Sequence, residues 1–224
     1  MNLLRRYRLG LLIGLIAGPG CALIWPAEPL DPALTFAAHV ASRGLVVDKM
    51  DGGQPGVLEP SSTPYAGPQL VLRSGERTTA TFWLSGADII VRPPDSGAPV
   101  LGRVDACWDE RAIRLTLRIE SDGTFSTSVF KRIAGGAGPA ALGQAAESLL
   151  DLRGTYQADV VDDAGASAGW LRVRFAHSWI TPHRVYEGVL PAALNGPLAV
   201  AAVARLDAEL TAVSSAAMNP YTGN

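Results

Sequence analysis

The chain is poor in the side chains on which most catalytic and metal sites depend. Its 224 residues include 2 cysteines and 3 histidines. Because Cys21 lies in the N-terminal segment, the rest of the chain holds one cysteine, Cys107, and cannot close an internal disulfide. The domain must therefore be stabilised by apolar burial, and Cys107 is predicted to be a buried small residue.

Known catalytic and cofactor motifs are missing as well. The sequence has no GxSxG nucleophile elbow and no HExxH zinc pattern, and its glycine-rich stretch 135–138 lacks the Lys-Ser/Thr of a phosphate loop. His177 and His183 bracket a segment interrupted by Pro182, so no regular element fixes the two imidazoles together. The sequence therefore predicts no catalytic residue, no metal site and no cofactor.

Clusters of positive charge are also absent beyond residue 27. Three of the 19 basic residues, Arg5, Arg6 and Arg8, precede that point, which leaves 16 basic against 21 acidic residues in the remainder. A surface of net negative charge repels phosphate backbones and anionic lipid headgroups. Nucleic acid is therefore excluded as an expected partner.

One long apolar run is present, Leu9–Trp25, and the three arginines come directly before it. This asymmetry predicts a cytoplasmic N-terminus and an exported remainder. Three interpretations are open: a signal peptide removed after Ala22, a transmembrane helix retained in the inner membrane, or lipidation at Cys21. All three place the protein in the bacterial cell envelope, in the periplasm or at the periplasmic face of the inner membrane.

Composition divides the chain into four parts. They are a signal or membrane-anchor segment, 1–27; a linker with a short helix and a Pro/Gly-rich loop, 28–69; a β-rich exported domain, 70–218; and a tail, 219–224. Asp31 followed by proline is typical of a helix start, which predicts a helix over 32–43. Apolar spacing predicts another helix at Ala140–Leu152. Leu198–Val213 fits a helix or a strand, and its alanine content favours the helix.

Strict alternation of apolar and polar residues gives the clearest structural signal, over Ala112–Lys131. This pattern, with a turn at Ser121-Asp122-Gly123, predicts a β-hairpin. Tyr156–Val161 and Trp170–Phe175 predict a second hairpin. Because short turns join the strands, we expect an antiparallel sheet in a β-rich α+β domain with two or three helices. A sandwich or a partly open barrel is the second choice.

The predicted strand around residue 172 has one face that suits a partner. Trp170, Arg172 and Arg174 lie opposite its apolar side chains, and interleaved aromatic residues and arginines are typical of protein interfaces. The candidate partner-binding residues are Trp170, Arg172, Arg174, Trp179 and Tyr186. The alternative is that the last helix covers this face, which would place Trp170 in a second core layer.

The leading hypothesis is a non-enzymatic cell-envelope protein whose β-rich domain binds a partner protein or an envelope component. One rival is an exported hydrolase with a site near His177 and His183. Another is a carrier of a small apolar ligand, which would require that the sheet curls around a cavity.

Overall fold

The computed structural model is a closed antiparallel β-barrel with a helix in its interior. It describes residues 30–218 except 42–43, 63–66, 87, 96, 110–111, 121–122, 136–139, 143–153 and 177–182. The strands are β1 (Phe36–Ala41), β2 (Gly44–Met50), β3 (Gly56–Pro60), β4 (Leu70–Ser74), β5 (Arg77–Ser85), β6 (Asp88–Arg92), β7 (Gly102–Asp109), β8 (Ala112–Ile119), β9 (Gly123–Thr127), β10 (Lys131–Ala134), β11 (Gly154–Val161), β12 (Ser167–Ala176) and β13 (His183–Val189). The helix, α1, spans Pro197–Met218.

Twelve of the strands form the ring. Its order is β11, β12, β13 and then β1 to β9, with antiparallel neighbours throughout. Val160 and Val161 of β11 pair with Thr127 and Ser126 of β9, and this pairing closes the ring. Strand β10 follows β9 in the chain and pairs with the first half of β11.

The junction between β9 and β11 consists of the two residue pairs Val160–Thr127 and Val161–Ser126 among the described residues. The β8–β9 ladder covers only the second half of β8, from Thr116 to Ile119. Side chains bridge part of what the ladder leaves: the Thr127 hydroxyl accepts the Leu115 N–H at 2.9 Å, and the Ser128 hydroxyl accepts the Asp159 N–H at 2.9 Å. Among the described residues, the β8–β9 ladder therefore ends at Thr116, and beyond it Ala141 pairs with Lys131 of β10.

Alternation along the strands separates an apolar interior from a polar exterior. Leu171, Val173 and Phe175 of β12 are buried, whereas Arg172 and Arg174 between them are partly exposed. The same rule holds on β8, where Ile113 and Leu115 are buried and Arg114 is exposed. One continuous apolar core results from the inward side chains of the ring and those of α1.

Helix α1 occupies the interior of this ring. Its residues from Leu198 to Val203 are all buried, so no face of that stretch meets solvent, as expected for an interior helix. The helix packs against β6, β7 and β8 on one side and bonds to Arg184 of β13 on the other. At least four strands of the ring separate β7 from β13 in either direction, so α1 touches opposite walls.

Barrel size explains why a helix is there. Side chains fill an eight-stranded barrel, but a larger ring leaves interior space that something else must occupy. A helix of 22 residues is about 33 Å long and can cross such an interior from end to end. At Gly102 the fit is close, because a Cβ there would lie 2.8 Å from Leu198 Cδ2.

The structure corrects the expected fold class. The described residues form a closed twelve-stranded barrel around a single helix, rather than an α+β domain or sandwich with two or three helices. The expected helix over 32–43 is mostly strand β1, because Asp31 supports only one turn, accepting the Ala33 N–H at 2.9 Å, before the chain pairs with β13 and β2. The expected loop at 51–69 contains strand β3. Both segments take the conformation that completes the ring.

Other expectations agree with the structure. The hairpin predicted within Ala112–Lys131 is β8 and β9, and the second predicted hairpin is β11 and β12. The ambiguous stretch Leu198–Val213 is helical, as part of α1. Residues 143–153 of the other predicted helix lie outside the described residues.

Candidate functional site

The predicted partner-binding surface lies on the outer wall of the barrel. Trp170, Arg172 and Arg174 project outward from β12, and each remains partly exposed. The Arg172 guanidinium lies 4.4 Å from the centroid of the Trp170 ring, a cation–π distance. Both arginines approach Glu187 of β13 at 3.7 Å. These four residues are called the outer patch below.

The two arginines of the outer patch both lie near one carboxylate, that of Glu187. Two guanidinium groups share the single Glu187 carboxylate, and their separations from it are longer than direct charge-assisted hydrogen bonds. Such solvent-facing pairs contribute little to stability, typically below about 1 kcal/mol. Arg172, Arg174 and the Trp170 ring are thus partly exposed together on one stretch of wall.

The structure places the other predicted site residues elsewhere. Tyr186 is fully buried and faces the interior, on the opposite side of the wall from Trp170. Trp179 and His177 lie outside the described residues, and so do Cys21 and the apolar run Leu9–Trp25. Within the described residues, no helix is both long enough and apolar enough to cross a membrane, so the expected transmembrane helix has no counterpart there.

The interior contains a polar cluster that sequence reasoning missed. Arg184 Nε of β13 lies 2.7 Å from Asp207 Oδ1 of α1, and Arg184 Nη2 lies 3.4 Å from Asp207 Oδ2. Tyr186 donates its hydroxyl hydrogen to Asp207 Oδ1 at 2.6 Å. Arg184 also donates to the Thr211 hydroxyl at 2.8 Å. One carboxylate of the helix thus meets a guanidinium and a phenol of the wall; we call this group the inner cluster.

Burial and charge act together in the inner cluster. Burial raises the pKa of Tyr186 well above its usual value and the Asp207 carboxylate adds to this, so the phenol stays protonated and donates. Burial opposes ionisation of Arg184 and is the largest single effect, but the attraction and hydrogen bond of Asp207, together with Tyr186, raise the pKa of the guanidinium. The inner cluster is therefore a charged pair with a neutral donor beside it.

A second polar pair lies on α1 itself. Arg205 donates to Glu209 one turn further along, and both side chains are buried. Positions 205 and 207 lie about 200° apart around a helix, so this pair faces away from the inner cluster. A sequence signal for both existed: Arg205, Asp207, Glu209 and Thr211 follow an apolar, alanine-rich first part of the helix at alternate positions.

Among the described residues, the other side chains that could bind a metal or act in catalysis do not lie together in one site. Among the described residues, no three His, Cys, Asp or Glu side chains come together as a metal site. Cys107 is exposed on β7, contrary to the predicted burial, because it falls on an outward position of the alternation. His183 begins β13, opposite Ala176 of β12.

Comparison with known proteins identifies no relative. Neither a family model, nor a curated protein, nor a solved structure matches this chain.

Proposed function

We propose that this protein is a non-enzymatic binding protein that holds a partner protein against the outer patch. The observation that carries the proposal is the partly exposed Trp170 stacked by Arg172, beside Arg174 and Glu187. Tryptophan and arginine are the residue types most enriched among the strong contacts of protein interfaces. The surrounding barrel supplies a rigid support, since β12 is paired along its length to β11 and β13.

The chemistry of the outer patch indicates what the partner presents. Arg172 and Arg174 both lie on the outside of the wall, so an acidic group of the partner would meet two partly exposed guanidinium groups there. The Trp170 ring offers apolar area next to that charge. We therefore expect a partner segment that combines an acidic side chain with an apolar one.

A matched pair of tryptophans allows a direct test. Trp83 also projects outward, from β5, with the Arg92 guanidinium 5.9 Å from its ring, but it lies outside the outer patch. A photo-crosslinking residue is placed next to position 170 in the full chain, in the source cells, with and without Trp170→Ala or Trp83→Ala. We expect one crosslinked partner that Trp170→Ala removes and Trp83→Ala retains.

Three outcomes would contradict the proposal: no crosslinked partner, retention of the partner by Trp170→Ala, or equal loss in both variants. Melting temperatures of the variants provide the control, because both side chains lie on the outside and neither change should unfold the barrel. A location in the cell envelope is part of the proposal and is supported by Arg5, Arg6 and Arg8.

A further inference from the structure

Among the described residues, the exposed large apolar side chains are those of Leu30 and Ile133. Leu30 is 43 % exposed and is followed by Asp31, which is exposed as well. An apolar side chain beside a carboxylate is the combination expected of the segment that binds the outer patch. Ile133 follows Arg132 instead, whose charge the arginines of the outer patch would repel. Leu30 and Asp31 therefore make this chain a candidate partner for itself.

A turn over residues 31–34 holds Leu30 and Asp31 in place. The Asp31 carbonyl oxygen accepts the Leu34 N–H at 3.1 Å, and Asp31 Oδ1 accepts the Ala33 N–H at 2.9 Å. Lys49 Nζ donates to the Pro32 carbonyl oxygen at 3.0 Å, and the Leu34 side chain is buried. Because a carboxylate accepts through two oxygens, Asp31 can bind an arginine while it keeps the turn. A segment that is already ordered loses little conformational entropy when it binds.

This turn and the outer patch belong to one region of the barrel wall. Thr35 follows the turn, donates its N–H to the Gly188 carbonyl oxygen at 3.0 Å and accepts the Leu190 N–H with its hydroxyl at 2.7 Å. Trp170 stands opposite Val189 in register, so it lies at the same end of β13. Only β13 separates β12 from β1, which places the backbones of these two strands about 10 Å apart.

A two-fold symmetric dimer needs both halves of a contact on one surface of each copy. In such a dimer the same surface is used twice, and each residue pair across the interface occurs twice. The turn of each copy can then bind the outer patch of the other. Between the two halves, β13 presents Val185 and Val189 outward on either side of Glu187, and all three are partly exposed. The middle of the surface thus offers apolar area, and the charged groups lie beside it.

We propose that the partner held at the outer patch is a second copy of this chain, in a two-fold symmetric dimer. Asp31 of each copy pairs with Arg172 of the other, and Leu30 of each copy lies against the Trp170 ring of the other. This inference rests on the proposed function, because it names the partner for the same outer patch.

The test measures association between two full-length copies that carry different affinity tags. Both are co-expressed in one bacterial host, extracted in a mild detergent and captured through the first tag, and the second tag is then quantified. Asp31→Arg or Arg172→Asp is introduced into both copies. Each charge reversal sets like charges against each other at two places in the dimer, so we expect capture of the second copy to fall about tenfold or more.

A mixed pair of variants distinguishes a direct contact from an indirect effect. When one copy carries Asp31→Arg and the other carries Arg172→Asp, the dimer holds one original ion pair and one ion pair with exchanged charges. We expect capture to return to within about twofold of the wild-type level. Mixing would restore neither a misfolded variant nor a contact made within one copy.

Matched controls reverse a charge elsewhere on the surface. Arg103→Asp changes an outward side chain of β7 that is 46 % exposed, and Asp95→Arg changes an exposed side chain between β6 and β7. Both should leave capture at the wild-type level. Leu30→Ser removes an exposed side chain and should lower capture without a change in melting temperature, so it decides the matter where a charge reversal impairs folding.

The inference is overturned if wild-type copies do not capture each other, if Leu30→Ser and the charge reversals leave capture unchanged, or if the mixed pair stays as weak as the single variants. Crosslinking from the position next to 170 to a different protein, without association of the copies, overturns this inference and leaves the proposed function intact. Absence of both the crosslink and the association contradicts both proposals.

Discussion

Replacement of Arg184 by methionine tests whether α1 really lies inside the barrel. Arg184 is 7 % exposed, and its removal leaves the Asp207 carboxylate enclosed with Tyr186 as its remaining partner in the inner cluster. Breaking a buried ion pair in this way typically costs 3–5 kcal/mol, and because the Asp207 side chain keeps 21 % exposure we expect about 3 kcal/mol. Such a loss is a large part of the stability of a single domain.

Urea unfolding at neutral pH, followed by tryptophan fluorescence, measures this loss. The control is Arg103→Met, which removes a paired arginine from the outer wall, where the side chain is 46 % exposed. We expect a change of about 0.5 kcal/mol or less for the control. The double variant Arg184→Met, Asp207→Leu should recover most of the stability, because it leaves no unpaired charge in the interior.

Equal effects of the two arginine variants would refute the reasoning. An Arg184→Met change below about 1 kcal/mol would mean that Arg184 and Asp207 are solvated, which is incompatible with a helix enclosed by the ring. A double variant less stable than the single variant would show that the apolar surroundings do not accept leucine at position 207.

Three further predictions concern single side chains elsewhere. Thr127→Val removes the hydroxyl that accepts the Leu115 N–H between β9 and β8, and should lower the free energy of unfolding by about 1–3 kcal/mol in urea titrations; an unchanged value would show that the contact between β8 and β9 does not need this bond. The hydrogen bond of His39 to Asp48, 2.8 Å long, raises the pKa of the imidazole against the opposing effect of burial. Its stabilisation is therefore complete below the unfolded-state pKa of about 6.5 and is lost as pH rises through the folded-state pKa, so His39→Gln should lower the melting temperature at pH 5.5 and not at pH 9. Cys107, exposed on β7, should be alkylated by a water-soluble maleimide in the native protein as fast as in urea; protection in the native state would contradict the outward position.

The alternation of apolar and polar residues predicted a strand correctly where one face of that strand meets solvent and a short turn follows it. The alternation of Ile113, Leu115 and Leu117 predicted β8 and its hairpin without knowledge of any other strand. The same alternation placed Trp170 and Arg172 on one face, and the structure shows that this face is the outside of the wall. Tyr186 was misplaced because its strand carries polar residues on both faces: Arg184 and Tyr186 point inward, Val185 and Glu187 outward.

Amino-acid pattern by itself determined the strands with short turns and their antiparallel pairing and favoured a helix at Leu198–Val213, because each depends on residues close together in the chain. Closure of the ring was decided only in the tertiary structure, by the pairing of β11 with β9 more than 30 residues earlier. In the closed ring, residues 36–41 form the strand that pairs with β13, although their alanines suit a helix equally well. The closed ring also encloses α1. This enclosure brings Asp207 of the helix into contact with Arg184 of the wall and so forms the inner cluster.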